Sequence, residues 1–248
     1  MSNQYSPTGF SFLPVVVKNL LILNGILFLA DVVLARFGID LSGMFGLHFF
    51  MASDFRPWQL LTYMFMHGNF SHLFFNMFAL WMFGATLENI WGPKRFLLFY
   101  ILCGLGAGLM QEGVQYIEYV TSLAHYQNVN LGGGQIIPMS QYLNYMTTVG
   151  ASGAIYGLLL AFGMMFPNSM IYLYFLVPIK AKWFVIGYAA IELLTGIFST
   201  GDHVAHFAHL GGMLVGLIIL LIWKKPVSRL SPIERNGCLW LCFWPPWS

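Results

Sequence analysis

The sequence predicts an all-α membrane protein, a bundle of six transmembrane helices. Three observations predict it. Only 8% of the 248 residues are charged and 58% are apolar, whereas a soluble domain carries roughly a quarter charged residues. A soluble fold so poor in charge would expose apolar patches and aggregate; a bilayer is itself an apolar solvent. Apolar stretches approaching the ~20 residues of a membrane-spanning helix recur six times. Finally, the basic residues fall almost entirely on one side of a six-span arrangement.

Span 1 is expected at about 15–35, retained as a span because no basic residue precedes Lys18 and no small-residue cleavage site follows. The next segment, 36–57, holds Met44, Phe45, Leu47, Phe49, Phe50 and Met51, side chains that a free aqueous loop has no use for. It is expected in the interface or docked on the bundle. A short amphipathic stretch, 58–67, breaks at Gly68-Asn69, and span 2 follows at 70–88. The turn Trp91-Gly92-Pro93-Lys94-Arg95 separates it from span 3, at 96–110. The segment 111–148, with Gly132-Gly133-Gly134, is expected to be extramembrane, with room for a short helix. Span 4 is expected at 149–166, ended by Pro167, span 5 at 182–198 and span 6 at 204–223. The aromatic-rich tail, 224–248, has interfacial character.

Lys18, Lys94, Arg95, Lys180, Lys182, Lys224, Lys225, Arg229 and Arg235 lie on one side of this arrangement, and only Arg36 and Arg56, of eleven basic residues, on the other. The positive-inside rule then puts both termini in the cytoplasm. A net charge of +2 gives no nucleic-acid partner, and Cys103, Cys238 and Cys242 form neither a disulfide framework nor a metal-type pair.

Polar residues within spans are costly and face the bundle interior or a water-filled cavity. Three clusters stand out: His67 to Asn76, Gly150 to Gly153 at the start of span 4, and Ala208 to Gly216 early in span 6. Spans 4 and 6 both begin on the outer side, so Ser152 and His209 lie at similar depth. A serine is a weak nucleophile until a neighbouring base takes its proton, which histidine can do near neutral pH. Alone, Ser152 reads as a small residue for helix packing and His209 as a buried histidine on a carbonyl; matched depth weakens both bland readings. Gly153 and Gly157, and Gly212 and Gly216, are pairs four apart that let helix backbones approach closely. Tyr156, one turn below Ser152, can hold the His209 ring or be ordinary core. His72 and Asn76 share a helix face and can both donate to an oxyanion, or simply join helices. The Ser152 amide, near a helix N-terminus, adds another donor.

The motifs H-x-x-x-N at His72 to Asn76, G-x-S-G at Gly150 to Gly153 and A-H-x-x-G at Ala208 to Gly212, in this order, resemble the rhomboid family of intramembrane serine proteases. Gly84, Glu88 and Gly92 extend the resemblance, which covers roughly spans 1 to 6. It implies a six-transmembrane-helix rhomboid-type bundle over 15–223 between cytoplasmic segments 1–14 and 224–248. It implies a Ser152–His209 dyad without a third acidic member, and an oxyanion site from His72, Asn76 and the Ser152 amide. His67 falls where the family often has a further histidine. Substrates would be transmembrane proteins cut in or near their membrane segment, with no cofactor or metal. Many relatives carry Trp-Arg before span 2; here the pair is Trp58-Gln59. The 111–148 loop is longer than a minimal member needs and lies on the active-site side. A chain without a targeting peptide suggests a bacterial cytoplasmic membrane.

The rival readings are a metalloprotease, an intramembrane aspartyl protease, a transporter and a catalytically inactive client-binding relative. His203, His206 and His209, three apart, cannot all face one ion on a regular helix, and no H-E-x-x-H occurs. Asp31 and Glu192 are acids inside spans, in no motif of an aspartyl protease. Glu192 suits either a proton or ion path or an interhelical hydrogen bond.

Overall fold

The computed structural model describes residues 10–173, 176–198 and 205–223. Among the described residues five helices are long and apolar enough to cross a membrane: Val15–Ala35, Phe70–Trp91, Pro93–Leu123, Ala181–Phe198 and His206–Trp223. They are spans 1, 2, 3, 5 and 6, and the shorter apolar helix Ser152–Met165 is span 4. The chain is an all-α bundle of an integral membrane protein. His203 and the tail 224–248 lie outside the described residues.

Span 4 is the central helix. Gly153, Ala154, Ile155, Gly157, Leu158, Leu159, Ala161 and Phe162 are all buried, as expected of a helix that is apolar all round. Spans 1 and 5 are peripheral, and Ile26, Leu29, Ile191 and Ile197 are exposed, as lipid-facing side chains would be. At 1.5 Å per residue the 14 residues of span 4 cover about 21 Å, short of the ~30 Å hydrocarbon core. At least one end of span 4 therefore stops below the membrane surface.

Glycine sets how closely span 4 meets span 6. A Cβ on Gly212 would lie 2.7 Å from the carbonyl carbon of Gly153, and one on Gly216 would lie 3.3 Å from Gly157 Cα. Any larger residue at these crossings would hold the backbones apart.

Glu88 fastens span 1 to span 2. Its Oε1 accepts from the Val16 amide at 2.9 Å and its Oε2 from the Val17 amide at 2.8 Å. Amides in the first turn of a helix have no intrahelical partner, and a carboxylate there also meets the favourable end of the helix dipole. Span 2 contains a π-helical turn at Leu80–Gly84 and ends where Gly92 takes φ +78°, with Pro93 opening span 3.

The first loop docks, as its apolar content requires. Leu47 and Phe49 are fully buried. A short helix, Leu41–Phe45, is tied to span 1 through Asp31, which accepts from the Ser42 hydroxyl at 2.6 Å. Asp31 is thus a loop anchor. Leu47 and His48 pair antiparallel with Thr148 and Thr147, so the first loop is stitched to the residues that lead into span 4. Gln59, at the position where many relatives carry arginine, is buried. It accepts from the Arg56 amide at 3.0 Å and donates to Asp54 O at 3.1 Å and Met44 O at 3.2 Å.

One expected boundary needs correction. Span 3 does not stop near Met110 but continues as α-helix to Glu118 and as a π-helical turn, Tyr119–Leu123. Its polar residues Glu112 and Gln115 are buried, and Glu112 accepts from the Phe50 amide of the first loop at 2.7 Å. The rest of the long loop holds the short helix it had room for, Met139–Tyr142, and a hairpin besides. Strands Asn128–Asn130 and Ile136–Pro138 form a hairpin whose turn uses Gly132, Gly133 and Gly134 at positive φ, a region open to glycine. Its Met139 and Leu143 form a small second core with Phe49 and Ala52 of the first loop. A further hairpin, Met170–Leu173 with Val177–Lys180, joins spans 4 and 5, a connection the sequence reading left unassigned.

Candidate active site

Ser152 opens span 4, and His209 lies in the first turn of span 6. The close glycine crossing brings them together: Ser152 Oγ lies 2.7 Å from His209 Nε2. Ser152 is half-buried and His209 buried. With Nε2 unprotonated, the Ser152 hydroxyl donates to it, the geometry in which a base can take a serine proton.

Tyr156 lies flat on the His209 ring, with centroids 4.2 Å apart and planes 5° from parallel. Its hydroxyl donates to Glu192 Oε1 in span 5. Of the two alternatives for Tyr156, the structure has it against the histidine.

His72 and Asn76 sit one turn apart on span 2, and His72 faces the start of span 4. Gly150, at φ +126°, is approached closely there: a Cβ would lie 2.7 Å from His72 Nε2 and 3.7 Å from Ser152 Oγ. Gly150 thus lets the His72 ring pack against the backbone beside Ser152, where any side chain at 150 would displace it. Gly150 is held by its amide, which donates to Tyr63 O at 2.9 Å. Asn76 donates back to His72 O at 2.9 Å; one of its two amide hydrogens is thereby engaged within the helix. His67, in the turn before span 2, is buried and meets the His72 ring edge-on at 5.2 Å. Burial, and then the imidazole of His72, push the His67 pKa down to about 4, so His67 is neutral at neutral pH. Gly153 and Gly212 supply the crossing itself.

The sequence reading had no place for Glu192 beside the base. Its Oε2 lies 2.6 Å from His206 Nδ1 and 2.9 Å from His209 Nδ1. The second approach is within ion-pair range but off the line of the ring N–H bond, so His209 Nδ1 makes no straight hydrogen bond. The only hint in the sequence was the cost of an acid inside a span, which does not say which neighbour it faces. Glu192, His206 and His209 each offer one atom within 4.8 Å of the others, a cluster able to hold a metal ion. His206 and His209 thus converge on one carboxylate despite their spacing of three.

A family model described as a rhomboid domain matches residues 54–226. The chain is 30% identical over 196 residues to the rhomboid protease AarA of Providencia stuartii, covering 73% of this chain and 60% of that protein. It is 29% identical over 182 residues to the mitochondrial RHOMBOID-like protein 6 of Arabidopsis thaliana, covering 73% of this chain and 48% of that one. It is 24% identical over 193 residues to rhomboid-like protease 3 of Toxoplasma gondii, covering 77% and 62%. The chain thus spans about half to three-fifths of the length of these curated relatives.

Proposed function

The chain belongs to the rhomboid family, and from that premise we propose that it is an intramembrane serine endopeptidase cutting transmembrane proteins within or near their membrane segment. The observation that carries this reading is the 2.7 Å contact between Ser152 Oγ and His209 Nε2.

In the proposed mechanism His209 Nε2 takes the Ser152 proton as Oγ bonds to the scissile carbonyl carbon. The oxyanion is received by His72, Asn76 and the Ser152 amide. The tetrahedral species collapses, the C–N bond breaks, and the proton on Nε2 passes to the leaving amine. Water, with His209 again as base, then frees the acyl group from Ser152. Water has to reach Ser152, and a half-buried serine at the end of a short span fits a recess open to one side. The substrate segment has to unwind, because a helix keeps its carbonyls in its own hydrogen bonds. The same reading takes 15–223 as the protease domain, with both termini cytoplasmic and loop 111–148 outside, where it can shape substrate access.

The test is cleavage of a reporter transmembrane protein by purified enzyme in lipid. The wild type is expected to cut, and folded Ser152→Ala and His209→Ala to be inert. Cleavage by Ser152→Ala would remove the mechanism. A folded wild type inert on several reporters would favour a client-binding relative.

A further inference from the structure

We propose that Glu192 is a positioning residue for His209, holding the base by its Nδ1 edge while Tyr156 holds it by its face. This rests on the reading of Ser152 and His209 as the catalytic pair, and it adds a carboxylate to an arrangement that the family resemblance gave as a dyad alone.

Four spatial facts carry it. The Glu192 carboxylate is buried within span 5, where an acid is expensive unless it has a task or full compensation. Its two oxygens are divided: Oε1 receives the Tyr156 hydroxyl, and Oε2 faces two imidazoles, His206 at 2.6 Å and His209 at 2.9 Å. The His209 nitrogen it faces is the one not turned to Ser152. Finally, the residue stacked on the His209 ring is the same Tyr156 that donates to Glu192. A carboxylate serving only to tie helices would be satisfied by Tyr156 and His206, with no need to lie behind the base.

The consequence is a choice of tautomer. His209 can accept the Ser152 proton only if Nε2 carries a lone pair, which places its single hydrogen on Nδ1. A carboxylate beside Nδ1 favours that tautomer and opposes the one that would aim a hydrogen at Ser152. When Nε2 takes the serine proton, the ring carries a positive charge next to Glu192. Glu192 keeps its negative charge throughout and accepts no proton. The 2.9 Å approach is off-axis in the free enzyme; catalytic hydrogen bonds of this kind often straighten only once substrate is bound. The polar groups around the carboxylate are Tyr156 from span 4, His206 and His209 from span 6, and Thr195 of its own helix, whose hydroxyl lies 3.1 Å from His206 Nδ1. His206 is thus held between Thr195 and Glu192 and competes with His209 for one oxygen.

The experiment uses the full chain in lipid nanodiscs, labelled with 15N-histidine, comparing wild type with Glu192→Gln and Glu192→Asp. The His209 signals are assigned by their loss in His209→Gln. Cleavage kinetics and the His209 ring 15N shifts are both read. In the wild type the shifts are expected to show the Nδ1–H tautomer. In folded Glu192→Gln they are expected to show a mixture, with kcat lowered roughly 10²-fold, the low end of what a well-held general base contributes, and KM little changed. Glu192→Asp is expected to recover part of the loss. Wild-type kcat in Glu192→Gln would overturn the proposal, as would a fall in kcat with the tautomer unchanged, the mark of a purely structural tie. If Glu192→Gln does not fold, Glu192→Asp decides: wild-type kcat with an unchanged tautomer overturns the proposal. The tautomer is read without substrate. A wild type inert on every reporter, or a Ser152→Ala variant that still cuts, therefore fails the protease reading while the role of Glu192 is judged on its own.

Discussion

Gly212 sits against the backbone of Gly153 so closely that a Cβ on Gly212 would lie 2.7 Å from the Gly153 carbonyl carbon. The neighbour is backbone and cannot rotate away. Gly212→Ala is therefore expected to push span 6 off span 4, lowering stability by about 1–3 kcal/mol or more and separating Ser152 from His209. Gly113→Ala, in span 3, meets nothing within 4 Å and serves as the harmless control. Thermal denaturation in detergent and reporter cleavage check the pair; a fully active Gly212→Ala would mean the spans can cross farther apart.

Asn76→Ala and His72→Ala each remove a donor of the proposed oxyanion site. Each is expected to lower kcat roughly 10²- to 10³-fold with little change in KM, because an oxyanion exists only along the reaction path. Steady-state kinetics on a reporter would read this. A change confined to KM would instead make these residues substrate-binding groups.

His67 should make stability depend on pH. Its folded-state pKa is near 4, against 6.5 for a free imidazole, so the unfolded chain binds the proton first as pH falls. Stability from this group is complete above 6.5, falls between 6.5 and 4, and then levels off. The loss is roughly 3 kcal/mol. Denaturation of wild type and His67→Gln across this window should show the wild type losing ground to the variant; parallel curves would contradict it.

Glu88→Gln swaps one acceptor oxygen for a donor facing the amide of Val16 or Val17. Leaving such an amide unpaired costs about 1–3 kcal/mol. The expected outcome is a lower melting temperature with unchanged kcat in the folded fraction. A kcat effect at equal stability would link this end of the bundle to the chemistry.

Removal of metal should leave cleavage intact. Glu192, His206 and His209 are spaced to bind a cation, but Glu192 Oε1 already receives the Tyr156 hydroxyl and His209 Nε2 is turned to Ser152. Dialysis against EDTA followed by the reporter assay checks this. Activity lost on chelation and restored by Zn²⁺ would revive the metalloprotease reading.

Much of the bundle was legible in the chain because membrane insertion is read locally. Val15–Ala35 coincides with its expected span, since hydropathy and the polar flanks of span 1 are properties of consecutive residues. Span 3 was cut short at Met110 because Gln111, Glu112 and Gln115 read as an end, yet Glu112 is buried and its partner, the Phe50 amide, sits far along the chain. The hairpins failed to register for a related reason: three- and four-residue strands carry too little alternation to stand out.

The candidate site divides the same way. Ser152, His209, His72 and Asn76 could be singled out from the chain because each stands in a short motif whose spacing places it at a helix end or on one helix face. Their matched depth follows from counting residues from the membrane boundary. Which faces of spans 4, 5 and 6 meet is a matter of rotation about each helix axis, and no local pattern encodes it. The glycine crossing sets that rotation for spans 4 and 6, and the bundle then carries Glu192 to the back of His209. A carboxylate 17 residues from its histidine becomes its neighbour through close packing of three helices, a property of the assembled bundle and of no segment within it.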